Sequence, residues 1–265
     1  MTATHIRSWK LRAWTWALML FLYAPIAVLI LFSFNASKSQ AVWKGFTLSW
    51  YGSALHNDAV LSALRRSLLV ASLTTLAAAV VGTLAGLGLA RRFPGRGAIT
   101  GLIYLPIMIP EIVLAVALLT FFSITHWMAS PTTVVLAHIV FSSSYVAIVV
   151  RARLAGFDAT LEEAARDLGA GPAAVFWRVK FPLILPGILA GALLAFTVSL
   201  DDYLVTVYVR PAAYDTLPVY IYSQVRRGVT PEINAVSTLM LLATAILIVL
   251  TQRLMRSRSS KGNVE

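Results

Sequence analysis

Six long apolar stretches constrain this chain more than any other feature. They run Trp14–Phe34, Ser67–Ala90, Ala98–Phe122, Thr133–Val150, Leu183–Val209 and Ala235–Met255. About 20 apolar residues carry a helix across the roughly 30 Å hydrocarbon core of a bilayer. In lipid every backbone polar group must be satisfied within the protein, so such runs are read as helices. The expectation is an all-α integral membrane protein of six transmembrane helices, with residues 1–265 as a single membrane domain. The first stretch is longer than the apolar region of a signal peptide, and no small-residue cleavage site directly follows it. It is read as a retained span.

Composition agrees. Of 265 residues, 58% are hydrophobic and 12% charged, whereas soluble domains carry about 25% charged residues. That excludes an ordinary soluble enzyme, a disordered chain and a collagen-like fibre. The absence of cysteine removes disulfide scaffolds, cysteine-zinc sites and thiol catalysis.

The net charge of +11 is a topology signal. With the N-terminus inside, the inner segments hold fifteen of the 22 Lys and Arg. These are Arg7, Lys10 and Arg12; Arg91, Arg92 and Arg96; Arg151, Arg153, Arg166, Arg178 and Lys180; and Arg253, Arg256, Arg258 and Lys261. Cytoplasmic loops carry such an excess, so both termini are expected in the cytoplasm. The positive charge is then accounted for without nucleic acid as a partner; membrane lipid is the expected surrounding. Within the spans, Gly82 and Gly86, and Gly187, Gly191 and Ala195, recur at four-residue spacing. Such small-residue faces let helices approach closely.

The connection at 151–182 is long and patterned. Thr160-Leu161-Glu162-Glu163 reads as a capping box with Thr160 as N-cap. Leu161, Ala164, Ala165 and Leu168 follow on one helical face. Gly169-Ala170-Gly171 ends that helix, and Pro172 fits the first position of a second one presenting Val175, Phe176 and Val179. Pro182 and Pro186 open the fifth span. Two short amphipathic helices outside the membrane need a surface: lipid headgroups or a cytoplasmic partner.

Glu163-Ala164-Ala165, Gly169 after three more residues, and Val179-Lys180-Phe181-Pro182 after nine more resemble the EAA loop of bacterial ABC-importer permeases. The pattern there is E-A-A-x3-G-x9-I-x-L-P; Val179 and Phe181 are apolar departures from it. The resemblance implies an ABC type I importer permease fold in a bacterial inner membrane. Glu163, Ala164, Ala165, Gly169 and Pro182 would belong to the element that couples to an ATP-binding subunit. It also implies a second permease subunit, a periplasmic substrate-binding protein and no cofactor. Ser199-Leu200-Asp201-Asp202-Tyr203, Leu217-Pro218, Ile221-Tyr222-Ser223 and Gly228–Ala235 are similar to the spermidine/putrescine permeases of that family, as are the shorter Ser33-Phe34-Asn35 and Gly156-Phe157-Asp158. The implied cargo is a polyamine; another small solute is the alternative.

Three acidic residues lie at membrane depth, where charge is rare and costs roughly 2.5–3.5 kcal/mol or more. On a straight third span Glu111 would sit about 20 Å from its inner end, and Asp201 about 27 Å along the fifth. Asp201 and Asp202 would diverge by about 100° on a helix, so both face one pore only if the backbone unwinds. Glu111 is either a bundle-interior carboxyl bonded to a neighbouring helix or part of a cation path. The aspartates are either solvated carboxylates at a helix end or part of that path. Polyamines need carboxylates for their ammonium groups and aromatic faces for cation–π contact. Tyr203, Tyr208, Tyr220 and Tyr222 are near in sequence, although interfacial belts use tyrosine equally. The expected substrate path is Asp201, Asp202, Glu111 and Tyr203.

No phosphate-cradling G-x-x-x-x-G-K-[ST] occurs, and no H-E-x-x-H, so ATP would be hydrolysed by a partner. His5, His56, His126 and His138 are scattered. His138 and Ser142, four apart, are the nearest thing to a hydrolytic pair, without a G-x-S-x-G. Asn35-Ala36-Ser37 matches a glycosylation sequon. Besides a permease, the sequence admits a stand-alone secondary transporter or an intramembrane hydrolase; neither requires the 151–182 docking element.

Overall fold

A computed structural model describes residues 8–38, 42–156, 158 and 160–256. Arg7, Phe157, Arg258 and Lys261 lie outside the described residues, so the terminal charge bias is not seen here. In chain order the helices are α1 (Ser8–Phe32), α2 (Ser49–His56), α3 (Asp58–Ala90), α4 (Arg96–Met108), α5 (Glu111–Ile124), α6 (Pro131–Ala155), α7 (Thr160–Asp167), α8 (Pro172–Val175), α9 (Phe181–Asp201), α10 (Leu204–Val209), α11 (Leu217–Arg227) and α12 (Pro231–Arg256). A π-helical turn, Phe176–Lys180, joins α8 to α9. Five described helices are long and apolar enough to span a membrane, and α4 with α5 forms a sixth, bent one.

The chain falls into two compact units. One takes the described residues up to Val60 with Ile221–Leu241; the other takes Leu61–Tyr220 with the residues from Leu242 on.

In the first unit every side chain from Leu11 to Val28 is exposed, leaving α1 apolar on all sides and uncovered by its own chain. After α1 the backbone folds around buried Asn35. Its Nδ2 donates to the Val42 carbonyl at 3.0 Å, and its Oδ1 accepts from the Ser37 and Lys44 amides. Its carbonyl accepts from the Trp50 indole at 2.8 Å. The sequon asparagine is thus an internal hub and cannot carry a glycan. Asn57 accepts at Oδ1 from the Ala59 and Val60 amides, capping α3, and donates to Glu232 in the first turn of α12.

The second unit is organised around α6. Ser130 and Thr133 form a reciprocal capping box at its start, with Pro131 in the first turn. The glycine faces pack where small residues were expected. A Cβ on Gly82 would stand 2.6 Å from the Ser143 carbonyl oxygen and from Val146 Cβ, and one on Gly86 3.0 Å from Val150. On the α9 side, a Cβ on Gly187 would meet Arg153 at 2.9 Å, and one on Gly191 would meet Val146 Cα at 3.2 Å. Val70, Leu114, Phe122, Val134, Phe141 and Val205 belong to the buried core that joins α3, α5, α6 and α10.

Two spans are not the straight helices the apolar runs suggest. The third is broken at Ile109–Pro110 and bent by 108°. Proline lacks an amide donor and drives the residue before it to extended backbone; Ile109 has φ −80° and ψ 148°. Glu111 therefore opens α5 rather than lying mid-helix, and the distance along a straight rod does not apply. The fifth span ends at Asp201, with Asp202 extended at φ −67° and ψ 127°, and α10 starts afresh at Leu204.

The 151–182 connection is a helix, a turn and a second helix, but its ends differ from expectation. The Thr160 amide donates to Asp158 Oδ1 at 3.0 Å, so Asp158 caps α7 and Thr160 is already helical. The Thr160 hydrogen bonds hold the Asp158 carboxyl below the usual carboxylate range. The second helix does not stop before the membrane: Phe181 donates to the Phe176 carbonyl, and the chain runs on into α9. This longer-period turn accommodates Pro182, which has no amide to give.

Candidate functional site

The two broken spans meet in the second unit, where α5 packs on α10 and α10 on α6. Beside the first break is a cavity of about 300 Å³, lined by Pro106, Ile107, Ile109, Glu111, Leu114, Phe141, Tyr145 and Val198. Glu111 is its one charged lining residue. As the first residue of α5 its carboxylate sits at the positive end of a helix dipole. The rest of the wall is aliphatic or aromatic, apart from the Tyr145 hydroxyl.

The second break is sealed by Asp202, whose side chain takes the place of α10's missing helical acceptors. Oδ2 accepts from the Thr206 amide at 2.7 Å and from the Thr206 hydroxyl at 2.7 Å, and Oδ1 accepts from the Val205 amide at 3.3 Å. His138 reaches across from α6, with Nε2 3.2 Å from Asp202 Oδ2 and 3.0 Å from Thr206 Oγ1. Its Nδ1 lies 2.7 Å from Ser199 Oγ in the last turns of α9. His138 is 0% and Asp202 4% exposed; a buried carboxylate is tolerated only when satisfied in this way. Glu111 lies within electrostatic range of Asp202 and Asp201. Among the described residues no set of His, Asp and Glu is placed to hold a metal ion.

The backbone does unwind at the aspartates, and their fates diverge. Asp201 is exposed at the end of α9, Asp202 is locked inside, and Tyr203 is half-buried at the break. The structure thus gathers Glu111, Asp201, Asp202 and Tyr203 around one junction. The sequence offers His138 only in a pair with Ser142 and Ser199 only within a motif, and it gives Thr206 no role. A histidine inside an apolar span is itself a signal, but its partners lie 61 and 68 residues away in sequence. Ser142 is not its partner. Ser199, His138 and Asp202 have the composition of a hydrolytic triad, yet Ser199 is buried and none of the three lines the cavity. A substrate carbonyl cannot reach that hydroxyl.

Of the loop residues, Glu163, Ala164 and Gly169 are exposed and Ala165 is half-buried, while Pro182 is exposed in the first turn of α9. Gly169 has φ +81°, and nothing lies within 4 Å of where its Cβ would be. Glu162 binds Lys180 at 2.7 Å and Arg166 at 3.6 Å, fixing α7 against the π-helical turn. Leu168, 89% exposed, and Trp177, 62% exposed, face outward uncovered.

Comparison with known proteins supplies the family. Residues 78–259 match the profile of the binding-protein-dependent transport system inner membrane component. The putrescine transport system permease protein PotI of Escherichia coli K12 is 43% identical over 85% of this chain and 83% of its own length. The spermidine/putrescine transport system permease protein PotC of Haemophilus influenzae is 38% identical over 90% of this chain and 93% of its own. A bacterial alginate ABC transporter, solved with an alginate pentasaccharide-bound periplasmic protein, has a chain that superposes with a TM-score of 0.71 over 96% of both chains at 17% identity, a likeness of fold. The chain is a multi-pass inner-membrane transport subunit and belongs to the family of binding-protein-dependent transport system inner membrane components.

Proposed function

We infer that this chain is the permease subunit through which an ATP-driven importer moves polyamines into the cell. The observation that carries this reading is the Glu111 carboxyl set in an apolar and aromatic cavity beside two aspartates. A polyamine is a string of ammonium groups on methylene segments. Glu111 meets an ammonium, Tyr145 and Phe141 offer aromatic faces, and Ile107, Ile109 and Leu114 cover methylenes. Asp201, exposed at the end of α9, draws the polycation inward through a field little screened inside a cleft. Tyr203 stands beside it, and Asp202 holds the wall. The similarity to putrescine and spermidine/putrescine permeases supports the same cargo.

The 151–182 element is the seat for an ATP-binding subunit, with both termini on the same cytoplasmic side. Glu163, Ala164 and Ala165 form its contact face, and Gly169 shapes its turn. Pro182 marks where it enters the span. Leu168 and Trp177 are apolar surface awaiting a partner. The working unit contains this chain, a second permease subunit, two ATP-binding subunits and a periplasmic substrate-binding protein. Mass measurement of the complex purified in detergent tests the assembly. Two different permease chains and two ATP-binding subunits are expected; a lone chain active in uptake would contradict it.

A further inference from the structure

The α3 and α6 helices end side by side, since a Cβ on Gly86 would touch Val150, and both ends are basic. Arg91 and Arg92 follow α3, Arg96 opens α4, and Arg151 and Arg153 lie in the last turns of α6. Arg153 donates its Nε–H to the Leu183 carbonyl at 3.1 Å. Arg151 is half-buried and turns to α4. There its Nη1 donates to the Tyr104 hydroxyl at 3.2 Å, and its guanidinium carbon lies 5.9 Å from the centre of the Tyr104 ring. Among the described residues neither arginine has a carboxylate partner. A guanidinium presents five donors in a planar fork, and that of Arg151 meets only a neutral acceptor. Tyr104, accepting through its oxygen, keeps its own hydrogen for a further acceptor.

A half-buried cation inside a membrane domain calls for an anion, and the surface beside this one is open and apolar. At 100° per residue Gly97 and Gly101 stand on the Tyr104 side of α4, with nothing within 4 Å of where a Cβ would be. Leu102, Leu105 and Met108 are exposed on the same helix. Because α4 and α5 are bent by 108°, the two cannot both follow the membrane normal, so distance along α4 is not depth. On the proposed orientation these helix ends face the cytoplasm, where basic pockets between helices bind anionic headgroups. Guanidinium and phosphate match through two parallel hydrogen bonds. We propose that Arg151 and Tyr104 form the headgroup site of one anionic phospholipid. Its phosphate accepts from the guanidinium fork and the phenol, and an acyl chain lies along the open glycine side of α4. The inference goes beyond the polyamine reading and does not rest on it.

The test counts the phosphatidylglycerol molecules retained by the complete transporter. Native mass spectrometry reads them after release from nanodiscs of phosphatidylcholine holding a graded fraction of phosphatidylglycerol. At low fractions wild type should retain one more phosphatidylglycerol than Arg151→Gln, whose apparent affinity for it should fall about tenfold, as for a lost hydrogen bond to a charged group. Arg151→Lys keeps the charge without the fork and should fall between. Tyr104→Phe removes only the phenol and should weaken retention by about fivefold; it decides if Arg151→Gln fails to assemble. Arg92→Gln removes the same charge from an exposed position and should keep the lipid. Inorganic phosphate at millimolar concentration should not release it. Equal retention in wild type and Arg151→Gln overturns the proposal, as does an equal loss in Arg92→Gln or retention of phosphatidylcholine in place of phosphatidylglycerol. Release by inorganic phosphate would make the ligand a free anion. A wild type without retained lipid, whose second permease subunit is lost in Arg151→Gln, would make the partner a protein. Either result overturns the lipid site.

Discussion

Lys180 Nζ donates to Glu162 Oε1 at 2.7 Å across eighteen residues of chain, tying α7 to the helical turn that becomes α9. A partly exposed ion pair contributes roughly 0–1 kcal/mol, so its value lies in geometry more than in stability. Lys180→Met should leave the melting temperature in detergent almost unchanged and raise the ATP hydrolysed per polyamine imported. The charge exchange Glu162→Lys with Lys180→Glu should recover coupling. Wild-type coupling in Lys180→Met would remove the pair from the transmission route.

Gly169 is constrained by its backbone, not by its neighbours. At φ +81° an L-side chain costs about 1–2 kcal/mol, and open space around it means no further clash. Gly169→Asp should reach the membrane normally but bind the ATP-binding subunit weakly, because the turn must reshape and a charge is added. Gly169→Asn, which tolerates this backbone better, should be milder. Co-purification with the ATP-binding subunit at matched membrane levels checks both.

Gly82 has no such freedom. Its Cβ would collide with α6 at 2.6 Å, and overpacking of this kind costs about 1–3 kcal/mol or more. Gly82→Leu should lower the thermal stability and the yield of purified protein. Gly88→Ala, on the same helix with nothing within 4 Å of the added atom, is the matched control and should be neutral.

The neighbouring aspartates should behave differently. Asp202→Ala orphans the Val205 and Thr206 amides and the His138 donor, and charged hydrogen bonds contribute about 1.5–3 kcal/mol each. It should therefore be recovered poorly. Asp201→Asn, at an exposed site, should be as stable as wild type yet import polyamine more slowly. Thermal unfolding and uptake measured on the same preparations separate the two effects.

Much of this fold is legible in the sequence, because apolar length and small-residue spacing are local signals. The runs around Trp14, Ser67 and Ala235 and the glycines facing α6 are of this kind. The breaks are not. Pro110 announces a weakened helix, but the apolar pattern continues through it and does not encode a 108° bend. No glycine or proline marks the break at Asp202; it exists because a carboxylate, a threonine and a distant histidine satisfy one another there. Asp158 displaced Thr160 as the α7 cap for a similar reason: an acceptor two residues earlier met the free amide directly. The acidic residues of the site were visible as charges at membrane depth. Their division of labour depended on which of them α6 could reach.

On the proposed function, polyamines pass the Glu111 carboxyl. ATP-driven uptake of labelled putrescine by proteoliposomes holding the complete transporter tests it most directly, comparing wild type with Glu111→Gln and Glu111→Asp at equal protein content. Glu111→Gln should lose about tenfold or more of the uptake, as expected for a desolvated charge partner, while Glu111→Asp retains substantial uptake. Wild-type uptake in Glu111→Gln would contradict it.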